Sequence, residues 1–347
     1  MIRFIKPDTK IDFIGKRYIA FGLSVLMILV SIISLIIRGG PNYGIDFLGG
    51  TVIQLKFNSS VEIAKIKSGL EAVNIYQPTI QTFGEDKNNE YLARTGTPVT
   101  ANREFTEKLE QALKSVTGQN AEIRRIEIVG PKVGKDLQEK ALLAIFYSLL
   151  FLAIYISGRF ELKWVSSAIL AAVLMGAVYF FSVFKINTAF LTGFALLVTF
   201  VFFWFLDLKY AMAAIVALAH DVIITVGMFS IFNKEFNLPI VAAVLTIIGY
   251  SLNDTIIIFD RIRENLKKHT KNTLTVVINK SVNETLSRTI LTSGLTLLVV
   301  IALFILGGGI IHDFTFALIV GIIVGTYSSI YVASPILIAW QGKTKKK

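Results

Sequence analysis

Cysteine is absent from this chain. Disulfides, iron–sulfur clusters and thiolate chemistry are therefore excluded together. Histidine occurs three times, at His220, His269 and His312, too few and too scattered to suggest a metal site. Charge is also scarce: Asp, Glu, Lys and Arg make up 17% of the 347 residues, where a soluble domain carries about 25%. Their place is taken by apolar residues, 54% of the chain, with a mean hydropathy of +0.64. A composition this apolar belongs to a multi-span membrane protein.

Runs with little or no charge and long enough to cross about 30 Å of hydrocarbon lie near 18–37, 141–157, 164–184, 186–206, 210–231, 238–259, 289–308 and 314–340. Eight spans are expected, two of them with acids inside. Basic residues exceed acidic ones and give a net charge of +11. Their distribution sets orientation. Segments 1–17, 158–163, 207–209, 260–288 and 341–347 hold 19 Lys and Arg, whereas the alternate short loops hold only Lys185 and Lys234. Both termini are thus expected in the cytoplasm, and basic cytoplasmic loops account for the charge with no nucleic acid as partner. The first span is read as an uncleaved anchor, because RGGPNYG follows it without a small-x-small cleavage site.

The resulting division is a cytoplasmic segment 1–17, a first span 18–37, an external domain 38–137, a bundle of about seven spans at 138–340 and a basic cytoplasmic tail 341–347. In the external domain a strand pattern at 50–57 is followed by a helix pattern at 61–73, strands at 79–83 and 90–95, a helix at 101–117 and a strand at 121–129. The order βαββαβ predicts a ferredoxin-like α/β sandwich. Its approach, GIDFLGGT at 44–51, is not a phosphate loop, since no GK[ST] follows and no helix opens from the turn. Gly44, Gly49 and Gly50 instead suggest a tight turn where backbone passes close to another part of the molecule.

The bundle contains an internal repeat. Phe160, Leu162-Lys163-Trp164, Ala168-Ile169 and Ala171 are echoed 46 residues later by Leu206, Leu208-Lys209-Tyr210, Ala214-Ile215 and Ala217. A duplicated pair of spans explains this, since a single added span would invert everything downstream against the charge bias. It marks 162–207 as an inserted hairpin.

One carboxylate is placed where it is costly. Asp254 stands on the apolar part of GYSLNDTIIIFDRIREN, six residues before Asp260. With Asp260 near the interface, a rise of about 1.5 Å per residue puts Asp254 roughly 9 Å inside the hydrocarbon. An ionised acid costs a few kcal/mol there and calls for a partner or a function. Loading and releasing a proton is one reading, and a plain hydrogen bond to Ser251 or backbone is the other. His220 and Asp221 sit in mid-span, their side chains about 100° apart on a helix, so both cannot face lipid. A second proton-relay element and structural hydrogen bonding are the alternatives for them.

Six segments, in order, resemble the SecF family of protein-export membrane proteins: GIDFLGGT at 44–51, RRIEIVGPKVGKDL at 124–137, ALAHDVIIT at 217–225, GYSLNDTIIIFDRIREN at 249–265, ETLSRTILTSG at 284–294 and GTYSSIYVASP at 325–335. The resemblance implies a non-enzymatic, cofactor-free accessory of the Sec translocon in the bacterial cytoplasmic membrane, similar in plan to resistance-nodulation-division (RND) transporters. It implies SecD and the SecYEG channel as partners, YajC and YidC as further ones, and exported preproteins and membrane lipids as contacts. By the same resemblance Asp254 and Arg288 belong to a proton pathway driven by the proton-motive force. Gly44, Asp46, Gly49 and Gly50 form one motif, and Asn253, Asp260 and Arg261 share another with Asp254. Family members typically have six spans, so the hairpin is a departure. Snorkelling to the interface is the alternative for Arg288. An RND-type efflux subunit is the alternative function, although that would need larger external domains and a second half-bundle. Small residues at Gly249, Ser293, Gly294, Gly321 and Gly325 are expected to lie under a closely packed neighbour, as they would against SecD.

Overall fold

Among the described residues of the computed structural model, eight helical segments are long and apolar enough to cross a membrane. The structure describes residues 10–83, 89–96, 99, 102–184, 186–268 and 270–344. Ala101, Lys185, His269 and the outermost residues of both terminal segments, all used in the sequence reading, lie outside the described residues.

The first span is α1 (Arg17–Arg38), closed by Gly39 in the left-handed conformation. A two-residue strand β1 (Asn42–Tyr43) and one helical turn α2 (Ile45–Leu48) lead into the α/β domain. That domain runs β2 (Gly50–Phe57), α3 (Ile63–Glu71), β3 (Thr79–Phe83), β4 (Glu90–Thr95), α4 (Arg103–Thr117) and β5 (Ala121–Val129). Its sheet order is β3-β4-β2-β5, antiparallel throughout, which is the ferredoxin-like arrangement that the element order predicted. The strands alternate, so Ile53, Leu55, Phe57, Tyr91 and Ala93 turn inward and pack with Ile66, Leu70, Leu109 and Leu113 of the two helices. The opposite sheet face, with Val52, Gln54, Leu92 and Arg94, is left uncovered by helices of its own domain. Asn102 caps α4 by accepting from the Phe105 amide at 2.8 Å.

The membrane helices follow: α5 (Pro131–Glu161), α6 (Trp164–Val183), α7 (Thr188–Phe205) and α8 (Lys209–Ile231). After a second two-residue strand β6 (Glu235–Phe236) come α9 (Leu238–Lys268), α10 (Leu274–Leu306), α11 (Gly308–Ser328) and α12 (Ser334–Thr344). At 31 residues, α5 and α9 are each about 46 Å long, so both overshoot the hydrocarbon with their polar ends. The last span, expected as one helix, is broken by a π-helical turn at Ser329–Ala333. The cause is Pro335, which lacks an amide hydrogen and would press its ring on the carbonyl four residues back. The widened turn relieves that clash, and the Ser334 hydroxyl donates to the Ser329 carbonyl at 2.8 Å.

The repeat corresponds to two successive helix–turn–helix units whose turns cap each other. Leu162 and Asp207, 45 residues apart, both adopt positive φ. Glu161 Oε1 accepts from the Tyr210 amide at 2.8 Å, closing the start of α8, while Lys163 Nζ donates to the Leu206 carbonyl at the end of α7. Phe160, Tyr210 and Phe259 pack ring to ring beside these caps, with centroids 5.2 to 5.7 Å apart.

The two ends of the bundle are distinct. At one end lie these turns, the end of α9, the start of α10 and the chain segment 11–14, whose amides and carbonyls bond Asn279 and Asn283 of α10 at 2.8 to 3.2 Å. At the other end lie β1, β6, the α10–α11 turn and the α/β domain.

Candidate functional site

Helices α8, α9, α10 and α11 enclose a set of polar side chains in an otherwise apolar bundle. Asp221, Asp254 and His220 are 1%, 2% and 3% exposed. Asp221 Oδ2 accepts from Ser251 of α9 at 2.6 Å and from Ser328 at the end of α11 at 2.8 Å, and Oδ1 lies 2.9 Å from His220 Nδ1. His220 stacks on Tyr327, centroids 6.1 Å apart, and the Tyr327 hydroxyl donates to the Ala20 carbonyl of α1 at 2.7 Å. Adjacent on the helix, His220 and Asp221 do not diverge to separate partners; they turn inward together and bond each other. Hydrogen bonds to a carboxylate contribute about 1.5–3 kcal/mol each, so the acid ties three helices.

Asp254 lies one turn further along α9. Its Oδ2 accepts from Ser293 of α10 at 3.1 Å, and the Ser293 oxygen accepts from Thr326 of α11 at 2.9 Å. Ser251, a sequence-level candidate for Asp254, serves Asp221 instead, because residues three apart on α9 face different neighbours. Arg288 is on the exposed side of α10 and forms no ion pair with Asp254; its guanidinium stays within electrostatic reach of the carboxylate. Asn253, beside Asp254, is exposed on the outer face of α9. Asp260 pairs with Arg159 of α5 at 2.6 Å, and Arg261 with Glu264 at 2.7 Å and Glu284 of α10 at 3.1 Å. These last two residues fasten the end of α9 to its neighbours, away from the buried acids.

Of the five small residues expected under a neighbour, three are used within the chain. A side chain at Gly321 would enter Ile247, one at Gly325 would meet Ser251 Cβ at 2.8 Å, and Ser293 bonds Asp254. The expectation of an external partner over all five is corrected accordingly. Of the five, Gly249 and Gly294 alone have open space in front of them.

The GIDFLGG segment is a third feature, at the far end of α9. Strand β1 pairs in parallel with β6, Asn42 opposite Glu235 and Tyr43 opposite Phe236. The Gly44 amide donates to the Phe236 carbonyl at 2.9 Å, and the Leu238 amide, in the first turn of α9, donates to Asp46 Oδ2 at 2.9 Å. Phe47 is buried between Tyr43 and Phe236. Gly50 has φ +127° and Gly49 φ +75°, conformations a side chain rarely adopts. Arg94 of the α/β sheet forms an ion pair with Glu235, and Lys234 pairs with Asp313 at the start of α11 at 2.5 Å. Burial pushes the Glu235 carboxyl above its usual range, opposed by the Arg94 charge.

Sequence reading missed Ser328, Thr326, Ser293 as a ligand of Asp254, and the Arg94–Glu235 pair. The GTYSS run at 325–329 carried a signal, since four hydroxyl residues in the middle of a span must find partners in an apolar bundle.

An apolar bundle with acids on interior helices, joined to one ferredoxin-like domain, defines a class of membrane transport proteins. Residues 108–198 and 184–343 match the family model "Protein export membrane protein SecD/SecF, C-terminal" in two overlapping pieces, and 33–61 match "SecD/SecF GG Motif". Protein translocase subunit SecF of Desulfurispirillum indicum is 40% identical over 95% of this chain and 92% of its own. The SecF of Magnetococcus marinus is 39% identical over 99% and 96%. The crystal structure of SecDF, a translocon-associated membrane protein of Thermus thermophilus, is 32% identical with a TM-score of 0.75, covering 98% of this chain and 40% of that one. The chain belongs to the SecF family of protein translocase subunits. Each of the two pieces contains one copy of the internal repeat.

Proposed function

We propose that this chain works beside SecD as an accessory of the Sec translocon, using the proton-motive force to promote export of preproteins through SecYEG. The membrane is the bacterial cytoplasmic one. The end of the bundle that gathers the N-terminal segment, the start of α10 and the end of α9 faces the cytoplasm, and the α/β domain faces outward. This chain matches 40% of the solved SecDF, which supports SecD as a partner. The open faces at Gly249 and Gly294, with exposed Asn253 and Arg288 nearby, are where such a partner covers polar groups.

One observation carries the reading: Asp254 is buried in mid-bundle with a hydroxyl partner from α10 and a cation nearby that does not touch it. A carboxyl group so placed is satisfied by Ser293 when neutral, and when ionised it attracts Arg288. The two charge states favour different positions of α10 relative to α9. One proton crossing 100 mV supplies about 2.3 kcal/mol, which shifts a two-state equilibrium roughly fiftyfold. That suffices to move a domain and is too little to unfold a substrate. His220–Asp221 is read as a second element of the same pathway, about 4.5 Å nearer the outer side at the level of Ser251. The names of the relatives favour export over efflux.

The test is export by proteoliposomes containing SecYEG, SecD and this chain under an imposed H⁺ gradient or an Na⁺ gradient alone. Stimulation by the H⁺ gradient is expected. Stimulation by Na⁺ alone, or by neither, refutes the reading.

A further inference from the structure

A cavity of about 190 Å³ lies at the end of the bundle that carries the two helix–helix turns, between the starts of α8 and α10, the end of α9 and the last helix α12. Its floor is apolar: Ile262 and Leu266 of α9, Leu274 of α10 and Leu337 of α12. Ile262 and Leu266 stand two and six residues past Asp260 on α9, so with Asp260 at the interface they lie about 3 and 9 Å beyond it. That range spans the lipid headgroup layer, about 5–7 Å deep on each side of the hydrocarbon. Apolar side chains facing an open space at this depth are left against water unless something apolar covers them.

The rim is polar and fixed. Lys209 lines it with no ion pair among the described residues, its ammonium 5.8 Å from the centroid of the Tyr210 ring. Asp207, the one acid among the lining residues, is occupied by the Trp340 indole, which donates to its Oδ1 at 2.6 Å. The indole so held packs on Trp204, with centroids 4.8 Å apart. Trp204 and Asp207 end the inserted hairpin, so the segment that departs from a six-span plan builds this wall. An amphipathic indole belongs at headgroup level. Directly after Trp340 the sequence reads QGKTKKK, four lysines in seven residues, and a basic cluster beside a span draws anionic lipid toward it.

We infer that this cavity binds one anionic phospholipid, with its phosphate against Lys209, its glycerol and first methylenes over the floor formed by Ile262, Leu266, Leu274 and Leu337, and Trp340 as the side wall. Polarity and charge together decide the occupant. An apolar helix of a partner protein would cover the floor but leave the lysine desolvated and unpaired, which is costly. A free anion would meet the lysine and leave the floor wet. A phospholipid answers both, and in doing so it bridges α8 and α9, the helices of Asp221 and Asp254, to α10 and α12. Only the assignment of the lipid to the cytoplasmic leaflet rests on the orientation proposed above; the site stands on geometry.

Tryptophan supplies the reporter. The chain has three, Trp164, Trp204 and Trp340, so Trp164→Phe with Trp204→Phe leaves Trp340 alone and keeps an aromatic ring against it. The full chain with these changes is placed in phosphatidylcholine bilayers that contain the same minor fraction of either phosphatidylglycerol or phosphatidylcholine brominated on its acyl chains, and quenching of Trp340 fluorescence is compared. Brominated phosphatidylglycerol is expected to quench as though enriched about fivefold over its bulk fraction, the preference that one lysine gives for an anionic lipid. Lys209→Gln is expected to bring the two probes level, and Lys209→Arg to keep them apart. Equal quenching by both probes with Lys209 intact overturns the site, and so does a preference that survives Lys209→Gln, which would belong to the basic tail. In a second arm, native mass spectrometry is applied to the SecD-containing complex released from phosphatidylglycerol-rich membranes. The complex is expected to retain one more phosphatidylglycerol than its Lys209→Gln form. Equal retention means that protein fills the cavity in the complex, and it overturns the proposal. Neither arm uses a gradient or export, so both results stand if Asp254 carries no proton.

Discussion

Replacing Asp254 with asparagine separates the charge from the shape of the site. The amide oxygen of the new side chain would still accept from Ser293, whose hydroxyl lies 3.1 Å from Asp254 Oδ2. A neutral amide is also cheaper to bury than a carboxylate, so the helices stay packed. The electrical position of the acid fixes the size of the effect. Asp254 lies six residues from Asp260 on one continuous helix, about 9 Å inside a hydrocarbon layer of about 30 Å. A proton arriving from outside thus crosses roughly 70% of the field, and 100 mV contributes about 1.6 kcal/mol to loading the site. That corresponds to about fifteenfold in occupancy, short of the fiftyfold for a full crossing. The assay is export by proteoliposomes holding SecYEG and SecD, with potentials set by potassium diffusion across a graded series. The unsubstituted protein is expected to show a rising dependence on potential no steeper than fifteenfold per 100 mV where loading limits the rate. Asp254→Asn is expected to flatten it while leaving export at zero gradient unchanged. If Asp254→Asn keeps the slope, the acid is not the coupling site. A full fiftyfold steepness would place the loading site at the cytoplasmic face, against the geometry.

Two further outcomes follow from the same network. Arg288 makes no ion pair among the described residues, so it acts on Asp254 only when the acid is ionised; Arg288→Lys is expected to cut gradient-driven export severalfold if the planar guanidinium then engages the carboxylate, while full activity in that assay would reduce Arg288 to an interface anchor. Ser328→Ala removes one of two hydroxyls on Asp221 Oδ2 and should lower stability by about 0.5–1.5 kcal/mol if the acid is neutral, or about 1.5–3 kcal/mol if it is charged. A double-mutant cycle with Asp221→Ala, which removes the acceptor, read by thermal unfolding in detergent, checks this, and a coupling near zero would show that Ser328 does not serve the acid.

Much of the architecture is written in local pattern. Apolar runs and the bias of Lys and Arg are properties of the chain in one dimension, and the eight long helices lie where the runs stood. Strands β2, β3, β4 and β5 begin and end at the residues that alternation and turn signals indicated, because a sheet with one buried face imposes a period of two on each strand. The internal repeat was legible for the same reason, and so was the anomaly of an acid at 254. What local pattern could not decide is which groups meet across helices. Ser251 and Asp254 share α9, yet one serves Asp221 and the other takes Ser293, a choice made by the rotation of α9 against α8, α10 and α11. Arg288 and Asp254 stand on consecutive helices, and similar depth did not make them touch, since α10 turns its arginine outward. The GIDFLGG glycines announced a close approach of backbone, but not to what. Only the folded chain brings residues 42–48 against 235–238, nearly two hundred positions away, because pairing β1 with β6 and capping α9 depend on where three separate helices end in space.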